Sequence, residues 1–127
     1  MRQTRAIEFS TGLFALLGFA ALFFLVTQIT NRATGVTINT KCGQITTDAT
    51  SLAAGTEATF IVTNNKVAAG DVVVACAASG QTASTSVVHV TAVAAGSFSI
   101  TLTNLHASTV DTGAMVINFA IIKAVAA

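Results

Sequence analysis

The 127-residue sequence predicts an all-β fold, a single small β-sandwich of about six strands preceded by one N-terminal apolar α-helix of the transmembrane type. Three observations carry this reading. No charge occurs between Glu8 and Arg32; from Gly35 onward the composition turns to Thr, Val, Ala, Ser and Gly without proline; and β-prone runs recur there between Gly or Asn/Asp punctuation. The length suits one domain and an appendage, because an independent core takes on the order of 100 residues. The division falls between residues 1–33, a basic stub with the helix, and residues 34–127, the β-domain.

The first element is FSTGLFALLGFAALFFLVTQI, from Phe9 to Ile29. As a helix it reaches about 31 Å, the thickness of a bilayer's hydrocarbon core. Phe9, Gly12, Leu13, Phe14, Leu16, Leu17, Phe19, Leu22, Phe23, Phe24, Leu25, Val26 and Ile29 leave no polar stripe of the kind an interfacial helix needs. The segment is therefore read as a single-pass membrane anchor. A cleavable signal peptide shares its basic start and apolar run, but the exit TQITNRATG offers no small-x-small cleavage site. A pilin-like filament subunit also places an apolar helix before a β-domain, and that alternative stays open. Arg2, Arg5 and the α-amine precede the run while Arg32 and Lys41 follow it, which puts the N-terminus in the cytoplasm and the β-domain outside.

Six strands are expected after it, near Val36 to Thr47, Ala58 to Thr63, Asp71 to Ala77, Ser86 to Ala94, Ser97 to Asn104 and Ala114 to Lys123. The fifth alternates most cleanly: Phe98, Ile100 and Leu102 share one face, Ser97, Ser99, Thr101 and Thr103 the other. Ala95-Gly96 before it reads as a hairpin turn. In the last strand Met115, Ile117, Phe119 and Ile121 form a core face, yet Val116, Ala120 and Ile122 make the second face apolar as well. Such a strand is central or covered by a partner subunit, so Val116, Ala120 and Ile122 are a candidate oligomer face, with a trimer favoured. The segments AAGTEATFIVTN (Ala53 to Asn64) and AAGSFSITLTN (Ala94 to Asn104) echo each other as a turn-then-strand idiom, and AAG recurs at Ala68 to Gly70.

Chemistry-bearing residues are sparse: charged residues are 9% of the chain, and Trp and Tyr are absent. Arg2, Arg5 and Arg32 against Glu8 give the N-terminal part +2, while three lysines against four acids leave the remainder at −1. Neither density suits a phosphate backbone, so no nucleic-acid partner is expected. His89, within SVVHVTAV, is expected on a solvated sheet face and His106 in a polar loop. Asp48, Glu57, Asp71 and Asp111 are isolated near turns, without the spacing of an EF-hand, and no Walker or G-x-G-x-x-G pattern occurs. No metal, no cofactor and no catalytic set is expected, since a Ser/His/Asp selection without a strained nucleophile turn carries little weight. Cys42 and Cys76 lack CxxC spacing; they either pair as a disulfide in an oxidising compartment or sit reduced and buried, and both readings stay open.

Two stretches resemble known families. CGQITTDATSLAAGTEATFIVTNNKVAAGDVVVACAASG, then VTAVAAGSFSITLTN and AMVINFAIIK, resemble in order a small β-domain of bacteriophage virion structural proteins of marine and cyanophage-like type, between about Lys41 and Lys123. That resemblance implies a non-catalytic, often oligomeric module of capsid-decoration or fibre type, with a virion location as the alternative to a membrane. RAIEFSTGLFALLGFAALFFLVTQITN, from about Arg5 to Asn31, is similar to the N-terminal anchor of MlaD-type proteins of the MCE family. It implies a membrane-anchored subunit of an envelope phospholipid transport system. The expected partners are accordingly a membrane, further copies of the chain, and a capsid or envelope protein.

Overall fold

The computed structural model describes residues 26–29 and 31–125, which form eight β-strands and no helix. The strands are β1 (Val26–Gln28), β2 (Val36–Thr37), β3 (Cys42–Thr46), β4 (Glu57–Thr63), β5 (Val72–Ser79), β6 (Ser86–Ala94), β7 (Ser97–Asn104) and β8 (Val116–Ile122). They build two four-stranded sheets, ordered β1-β3-β8-β5 and β2-β4-β7-β6. All neighbours are antiparallel except β1 with β3 and β2 with β4.

This architecture corrects the expected six strands behind a helix that continues to Ile29. Val26–Gln28 is a strand, paired in parallel register with Gln44, Ile45 and Thr46, and the Ile29 amide carries the ladder on to the Thr46 carbonyl at 3.0 Å. Ile29 is buried in the domain core. An apolar run alone does not distinguish a last helical turn from a strand; here β3 supplies backbone partners and the core accepts Ile29. The remainder of the predicted helix, 9–25, lies outside the described residues. The second difference is the expected strand from Val36 to Thr47, which is two strands in different sheets. The Ile38 amide still bonds Thr63 on one sheet, and by Cys42 the chain has joined the other. The Asn64 side-chain amide holds the crossover through the Thr40 carbonyl at 2.7 Å.

One core joins the sheets. Phe60, Val62, Phe98, Ile100 and Leu102 from one sheet and Ile45, Ile117 and Phe119 from the other are buried together, and the Phe98 and Phe119 rings meet at 5.2 Å between centroids. Alternation along each strand does this work: β7 turns Phe98, Ile100 and Leu102 inward, and β8 turns Ile117, Phe119 and Ile121 inward. Each such side chain contributes about 1.5–3 kcal/mol on burial.

The register gives the domain two distinct ends. At one, here the base, β1, β3, β5 and β7 begin while β4, β6 and β8 finish; the loops carrying Asp48, Thr82 and Asp111 form the opposite crown. Each AAG turn places its glycine at positive φ, 69° at Gly55, 91° at Gly70 and 83° at Gly96, a region costly for residues with a Cβ. Asn64 and Asn104, which end the two echoed segments, are both fully buried and bond loop backbone: Asn64 binds Thr40 and Lys66, Asn104 binds Leu52, Thr109 and His106.

Candidate functional site

The titratable side chains of the described residues are committed to internal bonds or dispersed over the surface. Arg32 leaves the turn after β1 and enters the crown, where Nε donates to the Thr50 carbonyl at 2.6 Å and Nη2 to the Gly113 carbonyl at 2.8 Å and the Asp111 carbonyl at 3.2 Å. Its Nη2 also lies 3.5 Å from Asp111 Oδ1, with the two side chains 3% and 0% exposed. Asp111 Oδ1 accepts the amides of Thr82 and Gly113, each at 3.1 Å. Burial acts to raise the Asp111 carboxyl, but the nearby Ser86 hydroxyl, the two amides and the Arg32 guanidinium outweigh it and hold the group at about 2. Ser86 Oγ approaches without completing a hydrogen bond, and Arg32 Nη1 and Asp111 Oδ2 are buried without partners among the described residues. The cluster therefore fastens three crown loops, at a desolvation cost, and presents no reactive atom to solvent.

His89 lies on the outward face of β6, opposite Thr101, whereas Ser86 of the same strand is buried. His106 Nδ1 accepts the amides of Ser108 at 3.1 Å and Thr109 at 2.9 Å, which fixes the tautomer with its proton on Nε2. No Ser, His and Asp among the described residues are assembled around one reacting position. Among the described residues no group of three His, Cys, Asp or Glu side chains could hold a metal ion.

Cys42 and Cys76 are free and exposed, not buried. They occupy β3 and β5, the strands on either side of β8, which separates them by about 10 Å at ordinary strand spacing, beyond disulfide reach. The structure does not bring them together as a pair. Within the predicted anchor, only Val26 and Ile29 of the named residues are described, and no helix among the described residues is long and apolar enough to cross a membrane.

Val116, Ala120 and Ile122 share the outward face of the first sheet with Val72 and Val74, which the sequence reading did not single out. The alternation of β5 in VVVACAAS could have revealed them, because a strand with one buried face needs no valines on both. Val72, Val74 and Ile122 are 50%, 48% and 54% exposed. A shallow apolar furrow runs between β5 and β8 past Val74, Cys76 and Ala120. A hydrogen bond from Gln44 Nε2 to Asn118 Oδ1, 2.9 Å, crosses the face and sets Val116 apart from the apolar patch toward the base. On the outward face of the other sheet the exposed Ile61 and Val87 stand apart on β4 and β6, and Thr59, Thr101 and Thr91 form a row of hydroxyls bonded at 2.8 and 2.9 Å.

No protein-family model matches the chain, and no curated protein or solved structure shows significant similarity to it.

Proposed function

We propose that this protein is a non-catalytic structural module of phage-virion type, carried on an N-terminal segment that anchors it in a membrane, and that it assembles with copies of itself through the outward face of β5 and β8. The observation that carries the reading is the half-exposed Val72, Val74 and Ile122 around Ala120, on a sheet whose opposite side already fills the core. Contiguous apolar surface of this kind on a small domain marks an interface, and closed symmetry covers it without leaving open edges of contact. Parallel domains in a trimer bring several N-terminal segments into one membrane or shell. The virion reading also draws on the residues between Lys41 and Lys123 that resemble phage structural domains.

The test is sedimentation of the full chain in mild detergent. A discrete oligomer is expected, dissociated by Val74→Lys with Ile122→Lys, since both positions point outward and neither touches the core. A monodisperse monomer for the unmodified chain at tens of micromolar overturns self-association. Membrane fractionation of the full chain beside one starting at Val26 tests anchoring separately; equal recovery of both in the soluble fraction overturns it. The truncation belongs before Val26 because β1, Ile29 and Arg32 are parts of the fold.

A further inference from the structure

The charges of the β-domain are sorted by end. Lys41 precedes β3, Lys123 follows β8, and Lys66 lies in the turn between β4 and β5 with its carbonyl bonded to Lys123 Nζ, so all three lysines of the chain stand at the base. Among the described residues Asp71 is the one acid there, bonded to Lys123 Nζ at 2.6 Å. Asp48, Glu57 and Asp111 occupy the crown, with Arg32. Counting the described side chains, three cations against one acid give the base +2, and one cation against three acids give the crown −2. Lys41 and Lys66 are exposed and have no carboxylate partner among the described residues.

The apolar N-terminal segment joins the domain at this same end. Val26, where β1 begins, is in register with Gln44 of β3, three residues beyond Lys41, so β1 starts at the end of the domain that carries this lysine. A bilayer that receives residues 9–25 faces this end of the domain, and its surface charge acts on lysines that come within roughly 8 Å of it at physiological salt. The exposed Val125 lies two residues beyond Lys123.

We propose that the base of the β-domain is a docking surface for anionic lipid headgroups, seating the domain upright on the bilayer with the acidic crown pointing away. This rests on the anchoring reading above. Unpaired lysines beside an anionic leaflet each strengthen attachment about fivefold. Lys41 and Lys66 supply that attraction, while Lys123 is spent largely on Asp71.

The experiment reconstitutes the full chain into vesicles of phosphatidylcholine alone or with phosphatidylserine at three parts in ten. A fluorophore is placed on Cys42 in a Cys76→Ser background, and lipids carry a headgroup quencher. The far-end control puts the fluorophore on Ser108→Cys with both native cysteines changed to serine. Docking predicts stronger quenching at Cys42 in the anionic vesicles, little at position 108, and a fall of about fivefold in the docked-to-undocked ratio for each of Lys41→Gln and Lys66→Gln. Quenching at Cys42 that is equal in both vesicles, or indifferent to the two glutamines, overturns the docking surface while co-flotation of the chain preserves the anchor. A chain that floats with neither vesicle overturns both.

Discussion

Replacing Arg32 by methionine keeps an apolar stem in the crown and removes the guanidinium that joins three loops. The Thr50 and Gly113 carbonyls lose their donor, and Asp111, with no exposed side-chain surface, keeps its charge without its ionic partner Arg32. Removing one partner of a buried pair costs about 3–5 kcal/mol. The lower end applies here, because Arg32 Nη1 already lacks a partner and the Thr82 and Gly113 amides still stabilise the carboxylate. A loss of about 3 kcal/mol lowers the melting temperature of a domain this size by roughly 12–24 °C. Melting of the full chain in mild detergent, followed by far-UV circular dichroism, measures it directly; without Trp or Tyr the chain gives little intrinsic fluorescence. Adding Asp111→Asn to Arg32→Met removes the orphaned charge, so the double variant should melt higher than the sum of the single effects allows. A fall below about 4 °C for Arg32→Met, or strict additivity in the double variant, refutes the role assigned to the pair.

Three further outcomes follow from particular bonds. The Asp111 carboxyl is held at about 2, below its ordinary 3.8, so the stability it contributes is complete above pH 4 and is lost as pH falls toward 2, amounting to about 2 kcal/mol; Asp111→Asn should flatten that limb of an acid titration followed by circular dichroism. Asn104→Ala leaves the Leu52 and Thr109 carbonyls and the His106 amide without their shared partner and should cost about 2–3 kcal/mol in urea unfolding, whereas alanine at exposed Asn65 should cost under 1 kcal/mol. At Gly80 a Cβ would sit 1.9 Å from the Ala114 carbonyl oxygen and φ is 89°, so Gly80→Ala should abolish folded expression or lower the melting temperature more than alanine at Gly55, Gly70 or Gly96 of the AAG turns, where a Cβ meets no atom within 4 Å.

What the sequence made legible was local. The period-two patterns of 97–104 and 115–122 identify the inward residues of β7 and β8 because one buried face leaves its mark on every second position. The echoed AAG and TN segments mark β4 and β7 with their preceding turns, two neighbouring antiparallel strands whose terminal asparagines do equivalent work. What escaped was set by distant contacts. Arg32 reads in sequence as a flanking charge of an apolar run, and its burial is explained by Thr50, Asp111 and Gly113, between 18 and 81 residues away. Val26 to Ile29 reads as the end of a helix because nothing nearby announces that β3 will offer it an edge. Likewise the apolar outward face appears in sequence as three residues of the last strand, and the valines that enlarge it come from β5, in the fold's own register.

The parallel pairing of β1 with β3 has a mechanical consequence. A pull applied at Val26 along the axis of β1 loads the bonds to β3 side by side in shear, so they cannot be unzipped one at a time. Behind that short strand Ile29 sits in the core and Arg32 is clamped by the carbonyls of Thr50, Asp111 and Gly113, like a toggle beyond a buttonhole. Pulling the tether loose therefore requires dragging a guanidinium out of the crown, and the rupture force of the Arg32→Met chain should fall although β1 itself is untouched. A module bound to a shell or a membrane by such a joint transmits tension into its most tightly fastened corner.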